Sequence, residues 1–273
     1  MANGEKPLKN ILEINEHQLK TSITKIEPNK IITHGYSQEE LIDNINFSEM
    51  VYLLLKGKIP SKKEAKMLNH ILISFCDHGV TPPSTQSSRL IASSGSPLNV
   101  ALAGGLLSFG KKHAGAIEDS MNLFQKTINE LKSFNKTYSY EEVANDIVDD
   151  YLNKSILIPG FGHRYHNKDP RANKIIKLAI EEDFIGSHLE LALAIEKEVF
   201  KRKNISLNID GVNGAILSDM KFSSSLGLGL FMIGRIPGLI AHINEESTEE
   251  EGFRKFCDLE DILYQGDENK SFK

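Results

Sequence analysis

Cysteine is scarce in this sequence of 273 residues. Its two cysteines, Cys76 and Cys257, are too few for a disulfide framework, and they form no Cys-x-x-Cys pair that would ligate a metal. This composition is typical of a reducing compartment, and we expect a cytoplasmic protein. The first 20 residues are polar and mixed in charge, without the apolar core of a signal peptide, so export is not predicted.

An excess of positive charge is also lacking. The formal net charge is -5 and the pI is about 6.0, which excludes a general attraction to nucleic acid or to anionic membrane surfaces. An anionic ligand must therefore meet a local basic site. Only six of the 32 basic residues are arginines, so the position of each arginine is informative.

No long uninterrupted hydrophobic run is present. The most apolar stretch, residues 226–243, contains Arg235, Pro237 and several glycines, and its unbroken part is too short to span a bilayer. We predict a buried helix there. With 40% hydrophobic and 25% charged residues the chain has the composition of a folded globular protein, and its length allows one domain or two.

Most of the local patterns are helical. The exception is residues 21–33, where β-branched and polar residues alternate around Pro28-Asn29 and predict a small hairpin. Elsewhere apolar residues recur at helical spacing, and the fold class is predicted to be mainly α. Three Ser-x-x-Glu patterns predict capping boxes at helix starts: Ser37 with Glu40, Ser61 with Glu64, and Ser139 with Glu142.

Segments rich in Gly, Pro and Ser separate the predicted helices and carry His, Arg and Asp, as functional loops often do. The first candidate lies in Pro159-Gly160-Phe161-Gly162-His163-Arg164, followed by Asp169-Pro170-Arg171. The glycines permit close approach of a ligand, and His163 would polarise a carbonyl oxygen. Arg171, in the first turn of a helix, would bind an anion. The same segment is equally well interpreted as a structural turn before a helix.

A second candidate is His113, which has small neighbours at Ala114 and Gly115. A histidine near a helix start tends to stay neutral, because the positive end of the helix dipole disfavours the imidazolium. His113 would then donate a hydrogen bond to a developing oxyanion. Taken alone, the motif is also typical of a surface histidine beside Lys111 and Lys112.

The third candidate is Asp210, which lies in a short apolar run just before Gly211. Partial burial would raise the proton affinity of this carboxylate and suit it to act as a base toward a carbon acid. The alternative is a helix N-cap. His78, in the loop after Asp77, is a fourth and weaker candidate. No histidine spacing typical of a metal site occurs, and His163 with His166 is a poor ligand pair, so no metal is predicted.

Taken together and in order, these motifs resemble the citrate synthase superfamily, including its compact branch of citryl-CoA lyases and the C-terminal lyase module of ATP-citrate lyase. The resemblance begins at residues 21–60 and continues to Arg254. Its most specific part is Pro-Gly-Phe-Gly-His163 with Asp-Pro-Arg171, joined to Asn-Ile-Asp210-Gly. It implies a citrate synthase-like two-domain helical fold with the small N-terminal hairpin.

The resemblance also implies roles for individual residues. Asp210 would exchange the proton on the acetyl-CoA methyl carbon, His113 would hydrogen-bond the thioester oxygen, and His163 would polarise the ketone of oxaloacetate. His78 would contact the oxo acid. Its carboxylates would be held by Arg171, Arg235 and Arg254, and CoA would lie against Gly160, Phe161, Gly162, Arg164 and Lys168.

The same resemblance implies a homodimer and a small domain that closes over the ligands. The small domain would span residues 114–221, and the large domain residues 1–113 and 222–273. The CoA thioester would be a substrate, with no further cofactor. The reaction expected from the compact length is cleavage of citryl-CoA. Citrate or 2-methylcitrate synthesis stays open because His113 is the residue found in synthases, and a non-catalytic CoA-binding subunit is a further alternative.

Overall fold

The computed structural model describes residues 19–133, 139–255 and 257–272. As predicted, it is mostly helical with a small N-terminal sheet. The expectation of no signal peptide concerns residues that lie mainly outside the described part. The strands and α-helices, in chain order, are β1 (Thr24–Glu27), β2 (Lys30–Thr33), β3 (Tyr36–Ser37), α1 (Gln38–Asn44), α2 (Phe47–Lys56), α3 (Lys62–Phe75), α4 (Pro83–Ser93), α5 (Leu98–Leu107), α6 (Gly115–Ser133), α7 (Tyr140–Asn153), α8 (Pro170–Glu181), α9 (Ser187–Lys203), α10 (Ile209–Asp219) and α11 (Gly227–Glu249).

The predicted hairpin is confirmed. Strands β1 and β2 are antiparallel, Glu27 pairs with Lys30, and Pro28 and Asn29 form the connecting turn. Asn29 adopts a φ of 59°, a left-handed conformation that asparagine tolerates better than most residues. The short strand β3 pairs with β2 and was not predicted, since two residues are too few to show alternation.

Helices begin at the three predicted positions, but the side-chain hydrogen bonds at these starts differ from one helix to another. Ser139 forms the predicted capping box at the start of α7. The box predicted at Ser37 is wrong, because its hydroxyl donates to the side chain of Glu39 at 2.8 Å and makes no capping bond. Helix α3 begins at Lys62, directly after Ser61.

The chain divides into two compact units, the first ending at Ser61 and the second beginning at Lys62. The first holds the sheet, α1 and α2. In the second, α10 packs against α6, α8 and α9, and α11 packs against α3, α4, α5 and α6. Every candidate site residue belongs to the second unit. The predicted boundaries near residues 113 and 221 concern closure over ligands and stay a prediction.

Helix α10 is buried on nearly every side, from Ile209 to Ser218. Glycines allow this close packing: a Cβ on Gly214 would lie 2.5 Å from the hydroxyl of Ser120 in α6. The helix therefore starts at a position fixed by its surroundings, and Asp210 is its second residue.

Helix α11 runs through the stretch that the sequence predicts to be a buried helix. It continues past Pro237, because packing on four other helices holds it where the missing amide would otherwise weaken it. Residues 224–249 are long and apolar enough to cross a membrane by length and composition alone, a test that core helices of soluble proteins also pass. Buried Arg235 and Glu246 mark α11 as such a core helix.

Candidate active site

A cavity of about 260 Å³ in the second unit collects side chains from distant parts of the sequence. They come from the loops before α4, α6 and α8, from the start of α10 and from the middle of α11. Among the predicted site residues, those lining the cavity are His78, His113, Gly162, His163, Arg164, Arg171, Asp210 and Arg235. The structure thus brings together the three residues predicted to be catalytic.

Asp210 lies on the cavity wall with the Oδ1 atom of its carboxyl group buried. Burial raises the pKa of its carboxyl group to about 6, against the opposing charges of Arg171 and Arg235. Within the described part of the chain, its buried Oδ1 atom has no hydrogen-bond partner. A carboxyl group with this pKa and a free oxygen can both accept and return a proton near neutral pH.

The N-cap of α10 is Asn208 rather than Asp210. Its Oδ1 atom accepts hydrogen bonds from the backbone N–H groups of Asp210 and Gly211, at 3.0 and 3.1 Å. Its Nδ2 group donates to the carbonyl oxygen of Gly162 at 2.7 Å. The structure therefore decides against the N-cap interpretation of Asp210, and Asn208 ties the loop of His163 to the helix of Asp210.

The glycines before His163 let this loop lie directly on α10. Gly160 and Gly162 have φ values of 83° and 81°, in the left-handed region that favours glycine. A Cβ on Gly160 would also lie only 2.5 Å from the Cα of Gly211. Gly160 and the buried Phe161 shape the loop but do not line the cavity, so their predicted contact with CoA stays a prediction.

His163 and His78 face one another across the cavity wall. Their Nε2 atoms are 3.3 Å apart and their rings are stacked. The backbone N–H of Tyr165 donates to Nδ1 of His163 at 3.1 Å, which leaves the ring proton of a neutral His163 on Nε2. Burial lowers the pKa of both rings. A neutral His163 can therefore donate from Nε2 to a carbonyl oxygen.

His113 closes a tight turn that begins at Gly110, with two backbone hydrogen bonds of 2.8 and 2.9 Å between these residues. Burial lowers the pKa of its ring to about 4, with further lowering by the charges of Arg235 and Arg164. A ring with this pKa is uncharged near neutral pH, and the main cause is burial rather than the helix dipole on which the sequence prediction was based. Its Nε2 atom lies 2.9 Å from the hydroxyl of Ser84, and when Ser84 donates, the ring proton is on Nδ1.

Two arginines supply positive charge beside Asp210. Arg235 is 2% exposed, its Nε donates to the carbonyl oxygen of Phe75 at 2.6 Å, and its buried Nη1 has no partner among the described residues. Asp169 caps α8 and holds Arg171 through Nε and Nη2, at 3.1 and 2.9 Å. An unpartnered buried guanidinium donor is suited to a carboxylate of a ligand.

Besides Gly160 and Phe161, two further predicted site residues do not line this cavity. Arg254 is ion-paired with Glu246 at 2.6 Å and lines a different cavity. Lys168 lies over the ring of Phe200, 5.1 Å from its centre. Their predicted roles in binding the oxo acid and CoA stay predictions.

Several residues at the site were missed by the sequence analysis. Ser84 contacts His113, Phe109 stacks on the same ring at 4.8 Å, and Phe231 lines the cavity beside Arg235. Asn208 carried a usable signal, because asparagine is a favoured N-cap residue. The aromatic residues carried none, since an apolar residue in a helix is most often part of the core.

The structure also brings a third imidazole close to His78 and His163. One donor nitrogen from each of these residues and from His166 lies within 4.8 Å of the others. The residues are the right type for a transition metal, although their sequence spacing did not indicate one.

Comparison with known proteins identifies one family. The model of the "Citrate synthase, C-terminal domain" family matches residues 15–70 and 60–255. Among solved structures, a citryl-CoA lyase from Hydrogenobacter thermophilus is 38% identical with a TM-score of 0.84, and the match covers 94% of this chain and 98% of that chain.

Curated relatives share less of their length. A probable ATP-citrate synthase from Dictyostelium discoideum is 27% identical over 81% of this chain and 37% of its own length. The glyoxysomal citrate synthase of Cucurbita maxima is 31% identical over 74% of this chain and 40% of its own length. The chain therefore spans about two-fifths of the length of these two proteins.

Proposed function

The chain belongs to the citrate synthase family, and we propose on this basis that it cleaves citryl-CoA to acetyl-CoA and oxaloacetate. The observation that carries the proposal is that Asp210, His113 and His163 line one cavity. Similarity to the Hydrogenobacter citryl-CoA lyase over nearly the whole length of both chains supports the direction of cleavage. As proposed, the CoA thioester is a substrate and no other cofactor takes part.

Cleavage moves one proton from the hydroxyl of citryl-CoA to the carbon that leaves as acetyl-CoA. To accept the hydroxyl proton at Nε2, the imidazole of His163 must carry its ring proton on Nδ1, so the N–H of Tyr165 turns away from that atom when substrate binds. The hydroxyl proton then passes to Nε2 while the C–C bond breaks, and the electrons of that bond form the enolate of acetyl-CoA. Asp210, protonated at the start, then donates its proton to the enolate carbon. The cycle ends with imidazolium and carboxylate, which exchange protons with solvent to restore the starting state.

The enolate oxygen needs a hydrogen-bond donor, because a thioester enolate is otherwise too unstable to form. His113 supplies this donor from Nδ1 when Ser84 donates to its Nε2 atom. Arg235 and Arg171 hold carboxylates of the oxo-acid portion, with the buried Nη1 of Arg235 as the first contact. A buried, closed site keeps water from quenching the enolate.

The proposal predicts opposite pH dependence for cleavage of citryl-CoA and for proton exchange on acetyl-CoA, because they need different protonation states of Asp210. Asp210, with a pKa of about 6, is protonated below that pH and a carboxylate above it. Because cleavage needs the acid, its kcat/KM should fall as pH rises through about 6. Exchange of acetyl-CoA methyl protons with solvent needs the carboxylate and should rise over the same range. Rate profiles for both, by absorbance and by NMR, test this. Cleavage that increases through pH 6 would contradict Asp210 as the acid.

Condensation of an acyl-CoA with oxaloacetate, as in citrate or 2-methylcitrate synthase, is a second candidate function. The neutral His113 with its Ser84 partner is equally suited to it, because the same pair stabilises the enolate in either direction. The Cucurbita citrate synthase supports this alternative by sequence. Synthesis requires in addition that water hydrolyses the thioester.

The deciding experiment offers the purified chain citryl-CoA in one assay, and acetyl-CoA with oxaloacetate in another. Acetyl-CoA without free CoA in the first assay supports cleavage. Free CoA in the second supports synthesis. The Asp210→Asn variant is the matched inactive control. Neither product, with CoA still bound, would identify a non-catalytic CoA-binding subunit and reject both enzymatic functions.

We also propose a homodimer. Helix α5 is apolar except for Asn99, and its exposed Val100 and Leu107, seven residues apart, lie on one face of the helix. A cluster of exposed apolar side chains on one helix is typical of a protein interface. Light scattering after size exclusion should give twice the mass of the chain, and Leu107→Glu should shift it toward monomer.

A cytoplasmic setting is part of the proposal. Both Cys76 and Cys257 are free thiols, and Cys257 is exposed. Exposed free thiols are typical of a reducing compartment. Fractionation of cells, followed by detection of the chain, tests this assignment.

A further inference from the structure

The three-histidine cluster at the edge of the cavity has a geometry that the proposed reaction does not require. Nε2 of His78 and Nε2 of His163 are 3.3 Å apart. A tetrahedral zinc ion with Zn–N bonds of about 2.0–2.1 Å holds its nitrogen ligands about 3.3–3.4 Å apart. This pair therefore already has the spacing of two ligands of one metal ion.

His166 is placed to supply the third ligand. Its donor nitrogen is within 4.8 Å of the other two, and its ring centre lies 4.6 Å from that of His163. It must approach by no more than about 1.5 Å to reach ligand spacing. We propose that His78, His163 and His166 bind a divalent transition metal ion of the Zn²⁺ or Co²⁺ type, with a fourth position left for water.

The surroundings select for this class of ion. Besides burial, the positive charges of Arg171 and Arg235 lower the pKa of His78. The negative charge of Asp169 raises the pKa of His163. Net positive charge disfavours Mg²⁺ and Ca²⁺, which also prefer oxygen ligands. Imidazole nitrogens suit Zn²⁺, Co²⁺, Ni²⁺ and Cu²⁺, whose bonds to nitrogen offset the repulsion.

Metal binding also requires the loop after His163 to move. A metal on Nε2 of His163 places the ring proton on Nδ1, where the backbone N–H of Tyr165 now donates. The Nδ1–H of His163 and the backbone N–H of Tyr165 would then point at each other, so residues 164–166 must turn away. The same segment carries His166. One movement can therefore remove the N–H of Tyr165 from His163 and bring His166 to ligand spacing.

The consequence is inhibition. A metal on Nε2 of His163 occupies the atom that accepts the substrate hydroxyl proton, so the ion and the oxo-acid portion of the substrate exclude each other. This consequence rests on the proposed function, whereas binding of the metal does not.

The binding test is a titration of the full chain with Co²⁺. We expect one Co²⁺ per chain with the strong visible absorption of a tetrahedral site. His166→Asn should weaken binding by roughly 10-fold or more, since losing a direct ligand costs at least as much as losing an outer-shell partner. Asn167→Ala, in the same loop, is the matched control and should bind like wild type. An octahedral spectrum, or equal affinity for the His166→Asn and Asn167→Ala variants, would overturn the proposal.

Inhibition is measured separately. Free Zn²⁺ is fixed with a metal-ion buffer, so that chelation by the substrate carboxylates does not enter. We expect Zn²⁺ to raise KM for citryl-CoA with little change in kcat, and His166→Asn to resist it while keeping its metal-free rate. Unchanged sensitivity in that variant would reject inhibition through this cluster. If no cleavage activity is found, the Co²⁺ titration still decides whether the metal binds.

Discussion

Asp210 illustrates the cost of placing a base inside a protein. Its carboxylate would be more stable in water, and burial raises its pKa to about 6 even though two arginines lie nearby. The same burial leaves Oδ1 without a partner in the described structure. A group left unsatisfied in this way reduces stability, and it persists where function requires it.

We predict that Asp210→Asn abolishes turnover and stabilises the fold above pH 6. The folded-state pKa is raised, so the buried charge destabilises the protein fully above about 6, and the effect disappears below the unfolded value of 3.8. The asparagine variant should gain about 3 kcal/mol in free energy of unfolding at pH 8 and only about 0.5 kcal/mol at pH 4. Urea denaturation at both pH values measures this.

The matched control is Asp146→Asn, which removes an exposed carboxylate from α7. It should change the free energy of unfolding by less than about 0.5 kcal/mol at either pH. A destabilised Asp210→Asn at pH 8 would contradict the assigned burial cost, and near wild-type turnover in that variant would reject its catalytic role.

At the scale of elements, the loop before His163 and the start of α10 form one unit held by backbone contacts. The N–H of Gly162 donates to Ser206 at 2.8 Å, and the N–H of Asn208 donates to Gly160 at 2.9 Å. The side chain of Asn208 adds a third link. These bonds fix the loop that carries His163 on the helix that carries Asp210.

The two loop glycines give a paired test. Both Gly160→Ala and Gly162→Ala impose a left-handed conformation on alanine, which costs about 1 kcal/mol each. Only at Gly160 would the new Cβ also collide with α10, since the nearest atom to a Cβ on Gly162 is 3.6 Å away. Gly160→Ala should therefore lose more stability and more kcat. Equal losses in thermal denaturation and kinetics would show that contact with α10 is unimportant.

Two substitutions of Asn208 distinguish its role as the N-cap of α10 from its hydrogen bond to the loop of His163. Asn208→Ala loses both and should reduce the free energy of unfolding by about 1–2 kcal/mol, as well as kcat. Asn208→Asp keeps an acceptor for the capped amides but replaces the donor to Gly162 with a repelling oxygen. It should keep most of the capping stability and still lose kcat. If Asn208→Asp keeps wild-type kcat, the link to Gly162 has no role in positioning His163.

Local signals in the sequence predicted the elements better than the contacts between them. The hairpin at Pro28-Asn29 and the cap at Ser139 follow from short-range chemistry and are confirmed. The predicted box at Ser37 failed because a serine hydroxyl has several nearby acceptors and took the side chain of Glu39. The spacing of His78 and His166 could not be predicted, because it depends on two loops that approach only in the folded chain.

At the scale of the whole molecule, a buried ionic network holds the end of α11. The carboxylate of Glu246 is fully buried and pairs with Arg89 of α4 at 2.7 Å and with Arg254 at 2.6 Å. The N–H of Arg254 also donates to the hydroxyl of Ser93 at 3.1 Å. The chain beyond α11 is thereby attached to α4, the helix that carries Ser84.

Glu246→Ala should lower the free energy of unfolding by about 1–3 kcal/mol, because it removes the charged hydrogen bonds to Arg89 and Arg254 while Arg89 keeps its ion pairs with Glu245 and Glu250. Glu249→Ala, on an exposed position of the same helix, is the matched control and should change it by less than about 0.5 kcal/mol. Urea denaturation measures both. A loss below 1 kcal/mol for Glu246→Ala would mean that the network adds little to stability.

The attachment of the His163 loop to α10 has a consequence for laboratory evolution of new specificity. Substitutions within 158–163 or 206–213 disturb two catalytic groups together, so libraries built there should contain mostly inactive variants. The part of the cavity wall formed by Thr81, Pro82 and Ala116 lies outside both of these segments. Substitutions meant to accept a different acyl chain or oxo acid are best made in that part of the wall, where a change in pocket shape leaves the proton-transfer groups in place.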